Sequence, residues 1–227
     1  MNKERTIAAP ILTVAIPTYN RAIALKGLLH SLLEQVPEEQ YTSVEILVSD
    51  NASTDETAEI LANLTRNFEI KSIRQSVNVG FDKNCDSLIR AAAGTFVWLL
   101  ADDDYISNDC LHTIIELLRD SGSLDFCYLD YSVSVDGECA PSAYAGRRGT
   151  LDGQEFIANS GFAFSFVSSC IFKRTTAVQH LNEKYIGTAW YHAYLVRDIC
   201  ADGHVYVFPP KFLQMNGVSI AQSRAEK

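Results

Sequence analysis

The sequence predicts an α/β fold with a mainly parallel central sheet and helices on both faces. Two patterns carry this expectation. Through the first half, short apolar runs alternate with helical stripes in the order βαβαβαβα, as in parallel strands joined by crossover helices. Polar clusters follow the first, second and fourth apolar runs, at the carboxyl ends of strands, where such sheets bind ligands. A third observation bounds the size. The chain has 227 residues, 47% of them hydrophobic, which suits one domain with a substantial core, or one domain with a small appended lobe.

The elements follow in order. Ile11 to Ile16 is a β-branched, apolar run ending at Pro17, and Leu25, Leu28, Leu29 and Leu32 then recur at helical spacing. Val44 to Val48 is a second buried-strand pattern. Ser53 and Glu56 read as a capping box for a helix carrying Ala58, Leu61, Ala62 and Leu64. Ile70 to Ile73 is the third strand, and Cys85, Leu88, Ile89 and Ala92 form the stripe of the third helix. Phe96 to Leu100 is the fourth strand, and Ser107 can cap a helix carrying Leu111, Ile114, Ile115 and Leu118. The second half is less regular. Asp125 to Val135 reads as a strand or two with a turn at Asp136-Gly137, and Glu138 to Gly149 as loop. Asp152 caps a short helix through Asn159, Phe166 to Phe172 reads as a strand, and Ala189 to Ala201 as a helix closed by Gly203. Val205 to Phe208 is a last strand stopped by Pro209-Pro210, and the tail from Ser219 is polar.

Composition narrows the function classes. With 19 Lys and Arg against 28 Asp and Glu, the formal charge is −9, and no basic footprint for nucleic acid or anionic lipid is present. Phosphates would have to be handled locally, by backbone amides, single basic residues or a metal. The six cysteines are spread without any CxxC pair, as expected of buried free thiols in a reducing compartment. Met1 to Ala9 is charged, so no signal peptide is expected, and the longest apolar run, Ala91 to Ala101, is too short to span a bilayer. The expectation is a cytoplasmic protein, with peripheral association at the inner membrane face left open.

The run Asp102-Asp103-Asp104, directly after the fourth strand, poses an electrostatic problem. Three adjacent carboxylates repel one another, and a divalent cation, alone or with a phosphorylated ligand, would relieve the repulsion. The alternative is a solvated acidic loop. Asp50, at the end of the second strand, can accept hydrogen bonds from a base or ribose, or simply cap the turn. Ser53 and Asp55 read as helix-capping residues. In Asn78-Val79-Gly80-Phe81-Asp82-Lys83-Asn84, Gly80 allows a tight turn and Asn78 and Asn84 offer amide contacts.

The series Ile16-Pro17-Thr18-Tyr19-Asn20-Arg21, Val48-Ser49-Asp50-Asn51-Ala52-Ser53-Thr54-Asp55, Asn78-Val79-Gly80 and Asp102-Asp103-Asp104 resembles the family 2 glycosyltransferases. The match covers roughly residues 11–120 and continues more loosely to about 210. The resemblance implies a GT-A fold in one domain over 1–227, with a nucleotide-sugar-binding half at about 11–120 and an acceptor-side half at about 121–215. It implies a nucleotide-sugar donor, a glycan or lipid-linked acceptor, a divalent metal (Mn²⁺ or Mg²⁺) and inversion at the anomeric carbon. The pathway it suggests is cell-surface polysaccharide or lipopolysaccharide assembly. The implied donor contacts are Pro17, Thr18, Tyr19, Arg21, Asp50, Asn78, Gly80, Asn84, Asp102 and Asp103. The implied metal ligands are Asp104 and Asp102. The family's acidic motif is often Asp-x-Asp-Asp, and Ala101 stands at its first position here.

Inverting transfer also needs a base to take the acceptor hydroxyl proton. In the family this is commonly an Asp after Glu, at the start of a late helix that ends before a glycine. Counting back 11 residues from Gly203 reaches His192, so Tyr191-His192 stands where Glu-Asp is expected. Imidazole titrates near neutral pH, and His192 is the candidate base. Asp198 is the rival acid. It lies six residues further along the same helix, about 600° of rotation, and follows Arg197, a natural ion-pair partner. Trp190, Tyr191 and Tyr194 could offer a stacking surface to an acceptor sugar, and Ser168, Ser169 and Cys170 could line the acceptor side. A sugar nucleotidyltransferase would open with a Gly-rich phosphate loop, which Pro-Thr-Tyr-Asn-Arg is not, and a phosphatase of the Asp-x-Asp-x-Thr type lacks its Thr here. A non-catalytic nucleotide-sugar binder or assembly subunit stays as the alternative, because of the substitution at His192.

Overall fold

In the computed structural model, residues 9–36, 42–67, 69–135, 138–140, 144 and 146–216 are described. The first half is β1 (Leu12–Thr18), α1 (Ala22–Gln35), β2 (Val44–Asp50), α2 (Thr57–Asn67), β3 (Ile70–Arg74), α3 (Phe81–Ala91), β4 (Phe96–Leu99), β5 (Tyr105–Ile106) and α4 (Cys110–Arg119). The second half is β6 (Phe126–Val135), β7 (Glu138–Ala140), β8 (Gly149–Asp152), α5 (Gly153–Ser160), β9 (Cys170–Lys173), α6 (Arg174–His180), α7 (Tyr191–Cys200) and β10 (His204–Asn216).

One ten-stranded sheet runs through both halves, in the order β3-β2-β1-β4-β9-β6-β10-β5, with β7 on β6 and β8 on β10. The segment β3-β2-β1-β4 is parallel throughout, as the alternating pattern predicts. β1 and β2 are buried along their whole length, as expected of strands covered on both faces. Beyond β4 the sheet becomes mixed: β9 is antiparallel to both β4 and β6, while β10 runs parallel to β6. Helices α1, α2 and α4 pack together, and α3, α5, α6 and α7 form a second packed group. Close packing at the start of β1 requires a glycine. A Cβ at Gly94 would lie 2.5 Å from the Thr13 nitrogen and 2.8 Å from the Leu12 carbonyl carbon.

Several sequence expectations need correction. The capping box does not form, because α2 starts at Thr57, four residues past Ser53. The Ser53 hydroxyl instead accepts from the Asn20 amide at 2.9 Å, and the Asp55 carboxylate takes the Thr57 amide at 3.1 Å. Ser107 does not cap α4 through its side chain; its carbonyl accepts from the Cys110 amide at 3.1 Å. Of Phe166–Phe172 only Cys170 onward is strand, and residues 163–165 and 167–169 form 3₁₀ turns. Helix α6 was not expected, since only Ala177 in it is buried and no apolar stripe marks it. The predicted loop 138–149 contains β7 and the start of β8. Pro209-Pro210 do not stop the last strand. They sit in an irregularity between Phe208 and Leu213, where the missing N–H groups break no ladder, and pairing with β6 resumes beyond it. The Asp152 cap forms as expected, accepting from the Gln154 and Glu155 amides. Cys85, Cys110, Cys127, Cys170 and Cys200 are free and buried. Burial pushes the Cys170 thiol up to about 12, so it is inert. The side chain of Cys139, the turn at Asp136-Gly137 and the tail from Ser219 lie outside the described residues.

Candidate active site

A cleft of about 420 Å³ opens at the carboxyl ends of the parallel strands, between β1 and β4 and the loop leading into α3. This is where the strand order reverses direction about β1, the position at which open α/β sheets bind ligands. Pro17, Thr18, Tyr19 and Arg21 reach it from β1, Asn51 from β2, Asn78, Gly80, Phe81 and Asn84 from the start of α3, and Ala101, Asp102 and Asp103 from β4. The loops are tied to one another. The Asn20 side chain accepts from the Thr54 amide at 2.7 Å, and Asn51 bonds both Asn78, at 2.9 Å, and the Val79 amide, at 2.8 Å. Asn84 holds α3 to β2 through the Ser49 hydroxyl and carbonyl, at 2.6 and 3.0 Å. Gly80, at φ +83°, adopts a backbone conformation that a side chain would strain.

Nine of the ten sequence-predicted donor contacts line this cleft; Asp50 does not. It is 1% exposed, with one oxygen accepting from the Ser53 amide at 2.8 Å and the other paired with Arg74. Asp50 therefore holds the turn after β2, and the side chain that turn presents to the cleft is Asn51. Phe81 also lines the cleft and was not singled out in the sequence. Its signal was present in the Asn-x-Gly-Phe sequence, an apolar residue placed just after a polar turn.

The acidic run is already neutralised in part by the protein. Asp102 accepts from the Thr18 hydroxyl at 2.6 Å and lies 3.9 Å from the Arg21 guanidinium. Asp103 pairs with Arg21, and Asp104 accepts from the Ser168 hydroxyl at 2.5 Å. The repulsion argument is thus weaker than the sequence suggested. Even so, burial pushes the Asp102 carboxyl up to about 6, the neighbouring Asp103 charge adding to this and the Thr18 bond and Arg21 opposing it. Ser168 belongs to the support of this run rather than to an acceptor surface. It also accepts from the Ala101 amide at 2.9 Å, and its carbonyl accepts from the Trp98 indole at 2.7 Å. Asp104 lines a second cleft of about 430 Å³, walled by Ile23, Ala24, Leu28 and Tyr105, and Asp102 and Asp103 form the wall between the two.

The donor set fits a divalent cation in one way. Among the described residues no three His, Cys, Asp or Glu side chains cluster into a ready metal cage. A hard cation held by one or two carboxylates and completed by substrate diphosphate oxygens needs no such cage, and Asp102 and Asp104 are of the right chemistry.

His192 is not among the residues that line the cleft; it sits behind Phe81 in the first turn of α7, 3% exposed. Its Nε2 lies 2.6 Å from the Ser165 carbonyl, and a carbonyl only accepts, so Nε2 carries the proton. Nδ1 then holds a lone pair, and it is buried without a hydrogen-bond partner. Burial lowers the imidazole's proton affinity, with the Ser165 bond and the Asp82 charge opposing. The ring meets Phe81 edge-on, at 6.1 Å between centroids. Asp198 is engaged by Arg197 at 2.9 Å. Of the three aromatics expected to stack on a sugar, Tyr191 is buried and donates to Asp86 at 2.6 Å, and Tyr194 is stacked on Tyr185 at 4.2 Å. Trp190 remains exposed, edge-on to the exposed Phe162 at 5.2 Å.

A parallel nucleotide-type sheet with polar loops and an acidic run at its carboxyl edge defines a GT-A type of protein. Residues 13–165 match the model of the family described as Glycosyl transferase family 2, and the chain belongs to that family. It is 29% identical over 205 residues to the abequosyltransferase RfbV of Salmonella typhimurium, covering 83% of this chain and 61% of that one. It is 25% identical over 193 residues to the GalNAc(5)-diNAcBac-PP-undecaprenol beta-1,3-glucosyltransferase of Campylobacter jejuni, covering 82% and 60%. The chain thus spans about 60% of the length of these curated relatives. Among solved structures, Staphylococcus aureus TarS 1-349 in complex with UDP-GlcNAc superposes with a TM-score of 0.73 at 19% identity, over 91% of this chain and 58% of that one. The mannosyltransferase PcManGT from Pyrobaculum calidifontis, in complex with GDP-Man and Mn²⁺, superposes with a TM-score of 0.63 at 17% identity, over 91% and 57%. Among the described residues no helix is long and apolar enough to cross a membrane.

Proposed function

We propose that this chain is the GT-A domain of a glycosyltransferase that moves a sugar from a nucleoside diphosphate donor to a hydroxyl of a glycan or lipid-linked acceptor, in cell-surface polysaccharide or lipopolysaccharide assembly. The observation that carries this reading is the convergence of the β1, β4 and α3 loops on one cleft, with an unpartnered, buried imidazole nitrogen across Phe81 from it. The names of the Salmonella and Campylobacter relatives support the pathway class, and the second supports a lipid diphosphate carrier.

The donor's base and ribose lie against Pro17, Thr18, Asn51 and Asn78, with the diphosphate toward Asp102 and Arg21. Asp102 and Asp104 would hold the divalent cation, which supplies charge neutralisation for the departing diphosphate. The acceptor hydroxyl oxygen attacks the anomeric carbon from the face opposite the diphosphate. The new C–O bond forms as the bond to the diphosphate breaks, and the hydroxyl proton passes to His192 Nδ1. The outcome is inversion. Trp190 and Phe162 offer the acceptor sugar an aromatic face, and Asp198, already paired, takes no part.

The test is release of nucleoside diphosphate from a panel of nucleotide sugars with Mn²⁺, with and without lipid-linked acceptor, for the wild type and His192→Asn. Turnover in the wild type, and a loss on the order of 10²- to 10⁴-fold in the variant with donor KM unchanged, is expected. Wild-type turnover in His192→Asn removes the imidazole from the base role. Donor binding with no release under any acceptor assigns the chain as a non-catalytic binder.

A further inference from the structure

Helix α7 carries the proposed base, yet it has no cap of its own. Its N-cap residue is Trp190, whose side chain bonds no helix amide. The segment leading into it is conformationally demanding, with Gly187 at φ 89° and Ala189 at φ 63°. The missing cap comes from another helix. Asp82, the second residue of α3, accepts from the Gly187 and Ala189 amides at 2.8 Å each, and its other oxygen faces the Tyr191 amide at 3.4 Å. Asp82 is 3% exposed, so these bonds form in a medium where a carboxylate without partners would be costly. Asp86, one turn later, adds the Tyr191 hydroxyl at 2.6 Å and is itself held by Arg90 at 2.9 Å.

The position of Asp82 in the chain gives this contact a function. It directly follows Gly80 and Phe81, which line the donor cleft. The amides it holds, those of Gly187, Ala189 and Tyr191, lie in the five residues before His192. We propose that Asp82 is a positioning residue for the transfer step: it fixes the first turn of α7, and with it the His192 ring, relative to the loop that lines the donor cleft. This rests on the reading of His192 as the base.

The same carboxylate also acts on the imidazole by charge. The elements packed against α7 carry Asp82, Lys83, Asp86 and Arg90 on α3, Glu155 on α5, Arg174 and His180 on α6, and Asp130 on β6, while the turn at 163–165 carries no charged group. Of these charges, the one that acts on His192 is Asp82, which favours the protonated ring. Asp82 makes no bond to the ring itself; it acts through the backbone of the first turn and through its charge.

The experiment compares Asp82→Asn, Asp82→Ala and Tyr191→Phe with the wild type. In Asp82→Asn, kcat is expected to fall on the order of tenfold to a hundredfold while donor KM stays within about twofold, because misplacing a catalytic group costs turnover and not donor binding. The acid limb of the pH–rate profile moves to lower pH, since the ring loses the charge that favoured its protonation. Backbone amide exchange of Gly187, Ala189 and Tyr191 accelerates in the folded variant. Tyr191→Phe removes a side-chain bond and no backbone contact, and leaves the acid limb in place. Unchanged kcat and exchange in Asp82→Asn overturn the proposal, as does a donor KM that rises in step with the loss of kcat. If Asp82→Ala does not fold, the Asn variant decides alone. Should His192→Asn keep full turnover, the base reading fails, and amide exchange still decides whether Asp82 holds α7.

Discussion

At the residue scale, the site is defined by how each polar side chain is already committed. Arg21, which lines the cleft, is paired with Asp103, and Arg74 behind it with Asp50. His192, behind Phe81, has one nitrogen bonded and the other bare. A base must be neutral before it accepts a proton, and burial holds this ring below the ordinary histidine value of 6.5. The ring is therefore neutral at pH 7, and if it is the base, as proposed, activity is lost as pH falls through its lowered pKa. The expected kcat/KM profile has an acid limb below the ordinary histidine range, and that limb is absent in His192→Asn. A limb at or above pH 6.5 assigns the controlling ionisation to another group.

At the element scale, the strand ends were legible because their chemistry is local. An apolar run followed by Pro-Thr-Tyr-Asn-Arg or by Asp-Asn-Ala-Ser places a loop at the carboxyl edge of a buried strand, whatever the rest of the chain does. What could not be read depended on distant partners. Asp50 reads from the sequence as a ligand contact or as a turn cap, and what it pairs with, Arg74, stands 24 residues away. The two prolines look like a strand stop until β6 supplies a ladder on both sides of them. Glu45, inside the run 44–48 that reads as a buried strand, also depends on such partners: it is 6% exposed and accepts from the Thr13 hydroxyl at 2.6 Å, Lys71 at 2.6 Å and the Ala93 amide at 2.7 Å. Burial alone would raise its pKa, but the bonds from Lys71, Thr13 and Ala93 outweigh it and hold the carboxyl below its usual range. Its contribution to stability is therefore complete above the ordinary glutamate pKa and fades as pH falls through the lowered folded value. Glu45→Ala leaves the buried Thr13 hydroxyl without its acceptor and takes the part-buried partner from the Ala93 amide and Lys71. We expect a loss of about 2–4 kcal/mol in urea unfolding at pH 7, shrinking toward acid pH. A loss that does not vary with pH would show that the carboxylate charge is not what the site uses.

At the scale of the whole molecule, the cleft belongs to the parallel half, while the proposed base and the aromatic pair belong to the mixed half. Contacts of several kinds join the two, among them the pairing of β9 with β4, the bond from Ser168 to Asp104 and the bonds from the α7 loop to Asp82. A ligand gripped by the β1, α3 and β4 loops therefore stabilises a unit that includes the acceptor side, and unfolding should remain one transition when it is bound. A nucleoside diphosphate at 100 times its dissociation constant adds about 2.7 kcal/mol to the native state. For a chain of this size each kcal/mol raises Tm by about 2–4 °C, so a shift of about 5–11 °C is expected from the matching base with Mn²⁺. Screening UDP, GDP, CDP and dTDP identifies the base, and repeating the scan with EDTA isolates the cation's share, because on the proposed reading the Asp102 carboxylate, which lines the cleft, meets the diphosphate as a like charge once the cation is removed. A shift of equal size with EDTA would place the diphosphate on Arg21 and backbone amides alone. No shift with any nucleotide would mean that the cleft, for all its family geometry, is not a nucleotide site in this domain by itself.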